Sequence, residues 1–174
     1  MKTSITKMTL QGFKSFNKKI SIPFLPGFNV IAGPNGSGKS NILDAIAFVL
    51  GRTSAKSLRA DRLYELIFHG GEGKTPADQA SVTLYLDNSQ KQFPYEDGEV
   101  TVTRKVNKNG LSAYKLNSRT VTREKILQLL SGVRIHPDGH NIILQGDVTQ
   151  IIEMNPVERR YYICLLYTSP SPRD

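Results

Sequence analysis

The sequence predicts an α/β fold in which a glycine-rich loop joins a buried strand to a buried helix, beside an antiparallel β subsheet. The loop occupies residues 33–40, between an apolar, β-branched segment and a segment that is apolar on nearly every side. Three alternating segments follow between residues 80 and 116, and an Asn-Gly turn connects two of them. A chain of 174 residues is long enough to bury one core.

Composition excludes several classes of protein. The longest wholly apolar run, Ala45–Leu50, has six residues, whereas a membrane-spanning helix needs about 20. The first residues contain no apolar core of a secretion signal, so we expect a cytoplasmic protein with no membrane partner. One cysteine, Cys164, cannot form an internal disulfide or a structural metal site.

The positive charge lies in the first third of the chain. Residues 1–62 carry ten Lys or Arg and two Asp, whereas residues 63–174 carry 13 basic and 13 acidic side chains, so the net charge of +8 belongs to the first segment. Such an asymmetry favours phosphate-rich partners, either a nucleotide or a nucleic-acid backbone. The alternative explanation is that these basic side chains form an ordinary solvated surface of the protein.

The first half of the chain is predicted to contain three strands and a helix. Ile5–Leu10 and residues 18–22 have the pattern of short strands, and Phe28–Ala32 has the β-branched content of a buried strand. Asn41–Leu50 is predicted to be a buried helix, and Gly51 suits the left-handed position just after it.

The antiparallel subsheet is predicted from Ala80–Leu86, Val100–Val106 and Leu111–Leu116. These segments alternate at the period of a strand, and Asn109-Gly110 is a strong hairpin signal between the last two. A helix is expected from Thr122 to Leu130, with Thr122 as its N-cap.

The last part of the chain changes character. Asn141–Leu144 is a candidate buried strand, and the Asn155-Pro156 pair is typical of a helix start. Residues 164–174 are Ser- and Pro-rich and match nothing before them. We therefore predict one domain over residues 1–163 and a non-native or disordered tail over residues 164–174.

The loop at residues 33–40 fits G-x-x-x-x-G-K-[ST], the phosphate-binding loop of P-loop NTPases. Its glycines let backbone N–H groups surround phosphates, and the following helix adds partial positive charge there. Lys39 can reach the β- and γ-phosphates, and the Ser40 hydroxyl can bind Mg²⁺. The sequence thus predicts a nucleoside triphosphate and Mg²⁺ as ligands, held by Gly33, Pro34, Asn35, Gly36, Ser37, Gly38, Lys39, Ser40 and the adjoining Asn41.

P-loop hydrolysis also needs a second acidic residue at the end of another strand. No apolar strand predicted here ends in that way, since Asn141–Leu144 is followed by Gln145-Gly146-Asp147. Part of the catalytic apparatus is therefore missing from this sequence, and turnover by this chain alone is not expected.

An ordered set of motifs extends beyond the P-loop. It comprises residues 10–16, residues 33–46, residues 58–62, residues 66–68, residues 144–147 and residues 158–160. In this order they closely resemble the N-terminal head segment of structural maintenance of chromosomes (SMC) ATPases, prokaryotic or archaeal type, over roughly residues 3–160. The resemblance implies the N-terminal lobe of an ABC-type ATPase head, whose C-terminal half supplies the signature motif, the metal-site Asp and the catalytic Glu.

The resemblance also assigns residues and partners. Gln145 matches the Q-loop glutamine that joins the Mg²⁺ shell, and Arg59 matches a basic-loop arginine near the phosphates, so Lys39, Gln145 and Arg59 are the candidate catalytic residues. Lys14 and Ser15 match the segment beside the nucleotide, and Asn35 the position facing a second head. Expected partners are a second SMC head, the C-terminal head half, a kleisin subunit and DNA, in a chromosome-associated complex.

Three other functions stay open at this point. A double-strand-break repair or RecF/RecN-like recombination ATPase shares a related head. A small-molecule P-loop kinase would need an acceptor-binding lid, and Gln145 and Arg59 argue against it. A non-catalytic DNA-binding module would use the basic excess on phosphates, and its binding would weaken steeply with salt.

Overall fold

The computed structural model describes residues 3–71, 73–133, 135 and 152–167. The strands of this part form a six-stranded antiparallel sheet, in the order β2-β1-β3-β4-β5-β6. The strands are β1 (Ile5–Gln11), β2 (Ile20–Pro23), β3 (Gln79–Asp87), β4 (Glu99–Asn107), β5 (Ser112–Leu116) and β6 (Arg119–Val121). The helices are α1 (Lys39–Leu50), α2 (Arg123–Gly132) and α3 (Pro156–Tyr167), and 3₁₀ turns form at Lys56–Leu58 and Leu63–Leu66.

The alternating sequence of the central strands β3 and β4 produces one buried face. On β3 every second residue from Ala80 to Leu86 is buried, and β4 repeats this from Val100 to Val106. Helix α1 packs on β3 and β4 and buries Phe48 and Val49 completely. The predicted subsheet is confirmed, and β1 and β2 extend it to one side. The loop at residues 33–40 therefore leads directly into a helix that packs against the sheet.

Arg104 is a charged residue inside this core. It belongs to β4, is 1% exposed, and donates from Nη1 to the carbonyl oxygens of Phe48 at 2.8 Å and Arg52 at 2.7 Å. Its guanidinium carbon lies 4.3 Å from the centre of the Phe48 ring and 5.0 Å from that of Tyr114. Burial lowers the pKa of Arg104 and raises the pKa of Tyr114. Arg104 therefore ties the last turn of α1 to the sheet.

Local signals correctly predicted the C-terminal end of α1 and the N-terminal ends of α2 and α3. Gly51 adopts φ 114° after α1, and Arg123 Nε donates to its carbonyl at 3.0 Å. Thr122 Oγ1 accepts the Lys125 amide at 3.3 Å as the N-cap of α2. Helix α3 begins after Asn155, whose Oδ1 accepts the Glu158 amide at 2.9 Å, and it extends to Tyr167. It thus enters the segment predicted to be a tail.

The predicted buried strand at Phe28–Ala32 is wrong. This segment is neither strand nor helix in the structure, and Phe28 is 93% and Val30 72% exposed. A strand needs a neighbour to accept its backbone hydrogen bonds, and the described residues provide none here. The candidate strand Asn141–Leu144 lies outside the described residues, as does Gln145.

None of the helices in the described part of the chain has the length and apolar character needed to cross a bilayer.

Replacement of Arg104 by Ala is expected to lower the free energy of unfolding by about 3 kcal/mol, because two buried carbonyls lose a charged donor and a cavity remains. Denaturant titration measures the effect. Arg119→Ala, at an exposed position on β6, is the matched control and should change the free energy by no more than about 0.5 kcal/mol. Equal effects of the two substitutions would contradict the role given to Arg104.

Candidate nucleotide-binding site

The glycine-rich loop turns sharply into α1. Gly36 and Gly38 have φ angles of 81° and 93°, in the left-handed region that favours glycine. A Cβ on Gly38 would also lie 2.8 Å from Ser15 Oγ and 3.2 Å from the Phe16 ring, whereas the space around Gly36 is open. Gly38 therefore has two reasons to be glycine: its backbone angle and the close approach of residues 15–16.

The amides of this bend are available to a ligand. The Ser37 amide donates to the Pro34 carbonyl at 3.3 Å, and the Asn41 amide donates to the Gly38 carbonyl at 2.9 Å. The amides of Gly36, Gly38, Lys39 and Ser40 make no hydrogen bond to the residues that the structure describes. The last two belong to the first turn of α1, where no intrahelical acceptor exists. Such a set of free amides suits an anion.

Lys39 is folded onto its own loop. Its Nζ donates to the carbonyl oxygens of Gly33 and Pro34, each at 2.7 Å. Both acceptors are neutral, and a charged phosphate oxygen would accept a stronger hydrogen bond from an ammonium group. The side chain is thus already held at the loop, from which it can transfer its hydrogen bonds to a phosphate.

A buried carboxylate, Asp44, connects α1 with two other segments. Its side chain is 4% exposed and accepts from Lys14 Nζ at 2.5 Å and from Arg59 Nη2 at 2.6 Å. Arg59 Nε donates to the same carboxylate at 3.1 and 3.3 Å, and Lys14 Nζ also donates to the Leu58 carbonyl at 2.5 Å. Residues from three parts of the sequence converge on this carboxylate.

Asn41 extends the network toward the loop. Its Nδ2 donates to Ser15 Oγ at 2.9 Å, and its Oδ1 accepts from Arg59 Nη2 at 3.1 Å. Ser15 in turn lies against Gly38. The network therefore holds two segments against the N-terminal end of α1. One is the basic turn, residues 56–59, and the other is the segment after β1.

Lys39, Asp44 and Arg59 line a cavity of about 260 Å³. Its walls are Ile31, Lys39, Ser40, Leu43, Asp44, Ser57 and Arg59. It opens at the N-terminus of α1, beside the free amides. Two features suit a triphosphate: the glycine-rich loop offers free amides, and two cationic side chains, Lys39 and Arg59, line one cavity.

A sequence model of the RecF/RecN/SMC N-terminal domain matches residues 4–139. The chain belongs to this family. Chromosome partition protein Smc of Pyrococcus furiosus is 52% identical to it over 160 residues, which cover 91% of this chain and 14% of that protein. The chain thus spans about a seventh of the length of this curated relative.

Solved structures of SMC proteins agree with the family assignment. A chain from work on ATP-driven dimerization and DNA-stimulated activation of SMC ATPases matches with a TM-score of 0.85 at 51% identity, covering 91% of this chain and 96% of that one. An Smc head domain with an extended coiled coil, bound to the C-terminal domain of ScpA, is derived from Pyrococcus furiosus. It matches with a TM-score of 0.86 at 51% identity, covering 92% of this chain and 41% of that one. The fold is therefore that of the N-terminal lobe of an SMC-type ABC ATPase head.

The structure brings most of the predicted site residues of this SMC lobe together. The loop at residues 33–40, Lys14, Ser15, Asn41 and Arg59 all lie around the start of α1. Arg59 pairs with Asp44 and not with the acidic residues close to it in sequence, Asp61 and Glu65. Glu65 Oε2 accepts the Asp61 amide at 2.8 Å. Gln145 lies outside the described residues.

Sequence reasoning overlooked Asp44. The residue stands in an otherwise apolar helix, one turn after Ser40, and is 3% exposed. A carboxylate on the buried face of such a helix is unfavourable unless it is paired. A charged residue in an apolar stretch of helix was the available sign of a paired carboxylate. The sequence did not show that Lys14 and Arg59 are its partners.

Gly38→Ala is expected to lower the free energy of unfolding by about 2 kcal/mol, because alanine disfavours a φ of 93° and its Cβ would press on Ser15. Denaturant titration and nucleotide titration of the variant test this. Gly71→Ala is the control, since Gly71 has no positive φ and no neighbour within 4 Å of an added Cβ. An unchanged stability of Gly38→Ala would contradict the described loop.

Proposed function

We propose that this chain is the ATP-binding N-terminal part of an SMC head that acts in chromosome partition. The supporting observation is the set of free amides at the start of α1, which shares one cavity with Lys39, Ser40 and Arg59. A triphosphate is the common biological ligand that such a loop accommodates. The 52% identity with the Pyrococcus furiosus Smc protein favours ATP and the SMC role.

Each part of the site has a separate task. The free amides of Gly36, Gly38, Lys39 and Ser40 bind phosphate oxygens. Lys39 contacts the β- and γ-phosphates through its side chain. Ser40 Oγ and, by the family pattern, Gln145 hold Mg²⁺, which neutralises charge on the phosphates when bound. The described residues contain no cluster of three or more His, Cys, Asp or Glu side chains suited to a metal.

Hydrolysis is proposed to require protein surfaces outside this chain. Asp44 is the carboxylate among the residues that line the described cavity, and Lys14 and Arg59 already occupy its oxygens. It is therefore poorly suited to activate a water molecule. We assign that step to the C-terminal head half and to a second head across the nucleotide.

We infer the partners of this chain from the solved structures that it resembles. One matched structure comes from a study of ATP-driven dimerization of SMC ATPases, and another shows an Smc head with the C-terminal domain of ScpA. For this chain we propose a second SMC head and a kleisin subunit as protein partners. DNA is the proposed nucleic acid, bound mainly through its backbone by the basic first third, in a cytoplasmic, chromosome-associated complex.

A recombination or repair ATPase of the RecF/RecN type is the second candidate. The observation in its favour is that the matching family model describes RecF and RecN as well as SMC proteins. The length and hinge of the coiled coil in the complete protein distinguish these classes.

Lys39→Ala is expected to weaken ATP binding by about 30-fold or more, because it removes a charge-assisted contact worth about 2 kcal/mol or more. Isothermal titration with Mg-ATP measures the affinity. Lys56→Ala removes an exposed cation of the neighbouring turn and is the matched control, with an affinity within about twofold of the original. An unchanged affinity of the Lys39 variant would contradict the site.

The chain alone is expected to show no appreciable ATPase activity and to gain it when a C-terminal SMC head half is supplied. Phosphate release from the separate and mixed polypeptides measures this. The mixture containing Lys39→Ala is the control and should remain inactive. Full turnover by the isolated chain would argue for a complete catalytic site within it.

A further inference from the structure

Asp44 has no role in nucleotide binding as proposed so far. It lies one turn after Ser40 on α1, is 4% exposed on its side chain, and lines the same cavity as Lys39 and Arg59. A buried carboxylate costs free energy unless charged donors satisfy it. Here Lys14 and Arg59 supply those donors, at 2.5 and 2.6 Å.

The two cations differ in how firmly they are held. Lys14 is 12% exposed, and its Nζ has a second acceptor in the Leu58 carbonyl at 2.5 Å. Arg59 is 40% exposed and reaches the cavity from the surface of the basic turn. Lys14 therefore acts as the structural counter-ion of Asp44, and Arg59 is the partner that faces the ligand space.

The backbones of both cations carry strain. Lys14 and Arg59 have φ angles of 45° and 55°, which residues with a side chain rarely adopt. Such outliers persist where the surrounding structure enforces them, and they cluster at functional sites. The side chains of both residues meet at Asp44, which is therefore one of the contacts that hold the two segments in place.

Asp44 uses one edge of the Arg59 guanidinium. Nε and Nη2 donate to its carboxylate, and Nη2 also donates to Asn41 Oδ1 at 3.1 Å. Nη1 makes no hydrogen bond to the residues that the structure describes. Because the guanidinium is planar and rigid, fixing one edge fixes the direction of the other.

We propose that Asp44 is a positioning residue for the terminal phosphate of a nucleoside triphosphate. It holds Arg59 by the Nε and Nη2 edge and thereby leaves Nη1 for that phosphate, while Lys14 maintains the charge balance of the buried carboxylate. This inference rests on the proposed ATP-binding function. It predicts that Asp44, although negative, favours triphosphate over diphosphate binding.

The test compares Mg-ATP and Mg-ADP binding to the 174-residue chain and to Asp44→Asn by isothermal titration. The variant keeps the size of the side chain and removes its charge. We expect ATP affinity to fall about tenfold and ADP affinity to change less than about twofold, because only ATP has the phosphate that Arg59 contacts. Simple Coulomb repulsion predicts the opposite sign, since loss of a negative charge would strengthen ATP binding.

Two further variants separate position from charge and from folding. Asp61→Asn removes an exposed acid near Arg59 that does not contact it, and should leave the ATP-to-ADP affinity ratio unchanged. Arg59→Lys keeps the charge but cannot bind a carboxylate with one edge and a phosphate with the other, so it should lower the ratio about tenfold. If circular dichroism shows that Asp44→Asn is unfolded, Asp44→Glu replaces it: this variant keeps the charge but displaces the carboxylate from Arg59, and it should also lower the ratio.

A double-mutant cycle completes the test. In an Arg59→Ala background, Asp44→Asn should have little further effect on the ratio, since Asp44 acts through Arg59. An unchanged or increased ratio in folded Asp44→Asn, an unchanged ratio in Arg59→Lys, or additive effects in the cycle would overturn the inference. No Lys39-dependent ATP binding by the original chain would instead refute the proposed function itself.

Discussion

The pairing of Asp44 with Lys14 and Arg59 joins three segments that are distant in sequence into one site. The carboxylate is part of α1, whereas its partners follow β1 and the first 3₁₀ turn. Without a negative charge at this point, two cations would lie side by side in a partly buried space. The arrangement of the P-loop relative to its neighbouring basic residues therefore depends on one short-range electrostatic contact, supported by Asn41 and Ser15.

Features set by nearby residues were predictable from the sequence. The Thr122 cap, Gly51 after α1 and the Asn-Gly hairpin each depend on a few consecutive residues, and the structure has all three. The loop at residues 33–40 was identified for the same reason, since its spacing encodes the turn into the helix.

Features that need distant partners were not predictable. Phe28–Ala32 has the composition of a strand, but a strand exists only where neighbours accept its hydrogen bonds, and the described sheet has none for it. The pairing of Arg59 with Asp44, rather than with Asp61 or Glu65, depends on how the chain returns to α1 after 15 residues. Arg104 falls on the buried side of the alternating strand, between Val102 and Val106, but its acceptors, the carbonyls of Phe48 and Arg52, lie in a distant part of the sequence.

The two arginines at the far end of α1 have an electrostatic consequence for its near end. A helix carries a macrodipole whose negative pole is the set of unpaired carbonyls in its last turn. Arg104 and Arg123 place positive charge on the carbonyls of Phe48, Arg52 and Gly51. Because the negative pole is compensated inside the protein, an anion at the opposite pole experiences the attraction of the first-turn N–H dipoles with less cancellation.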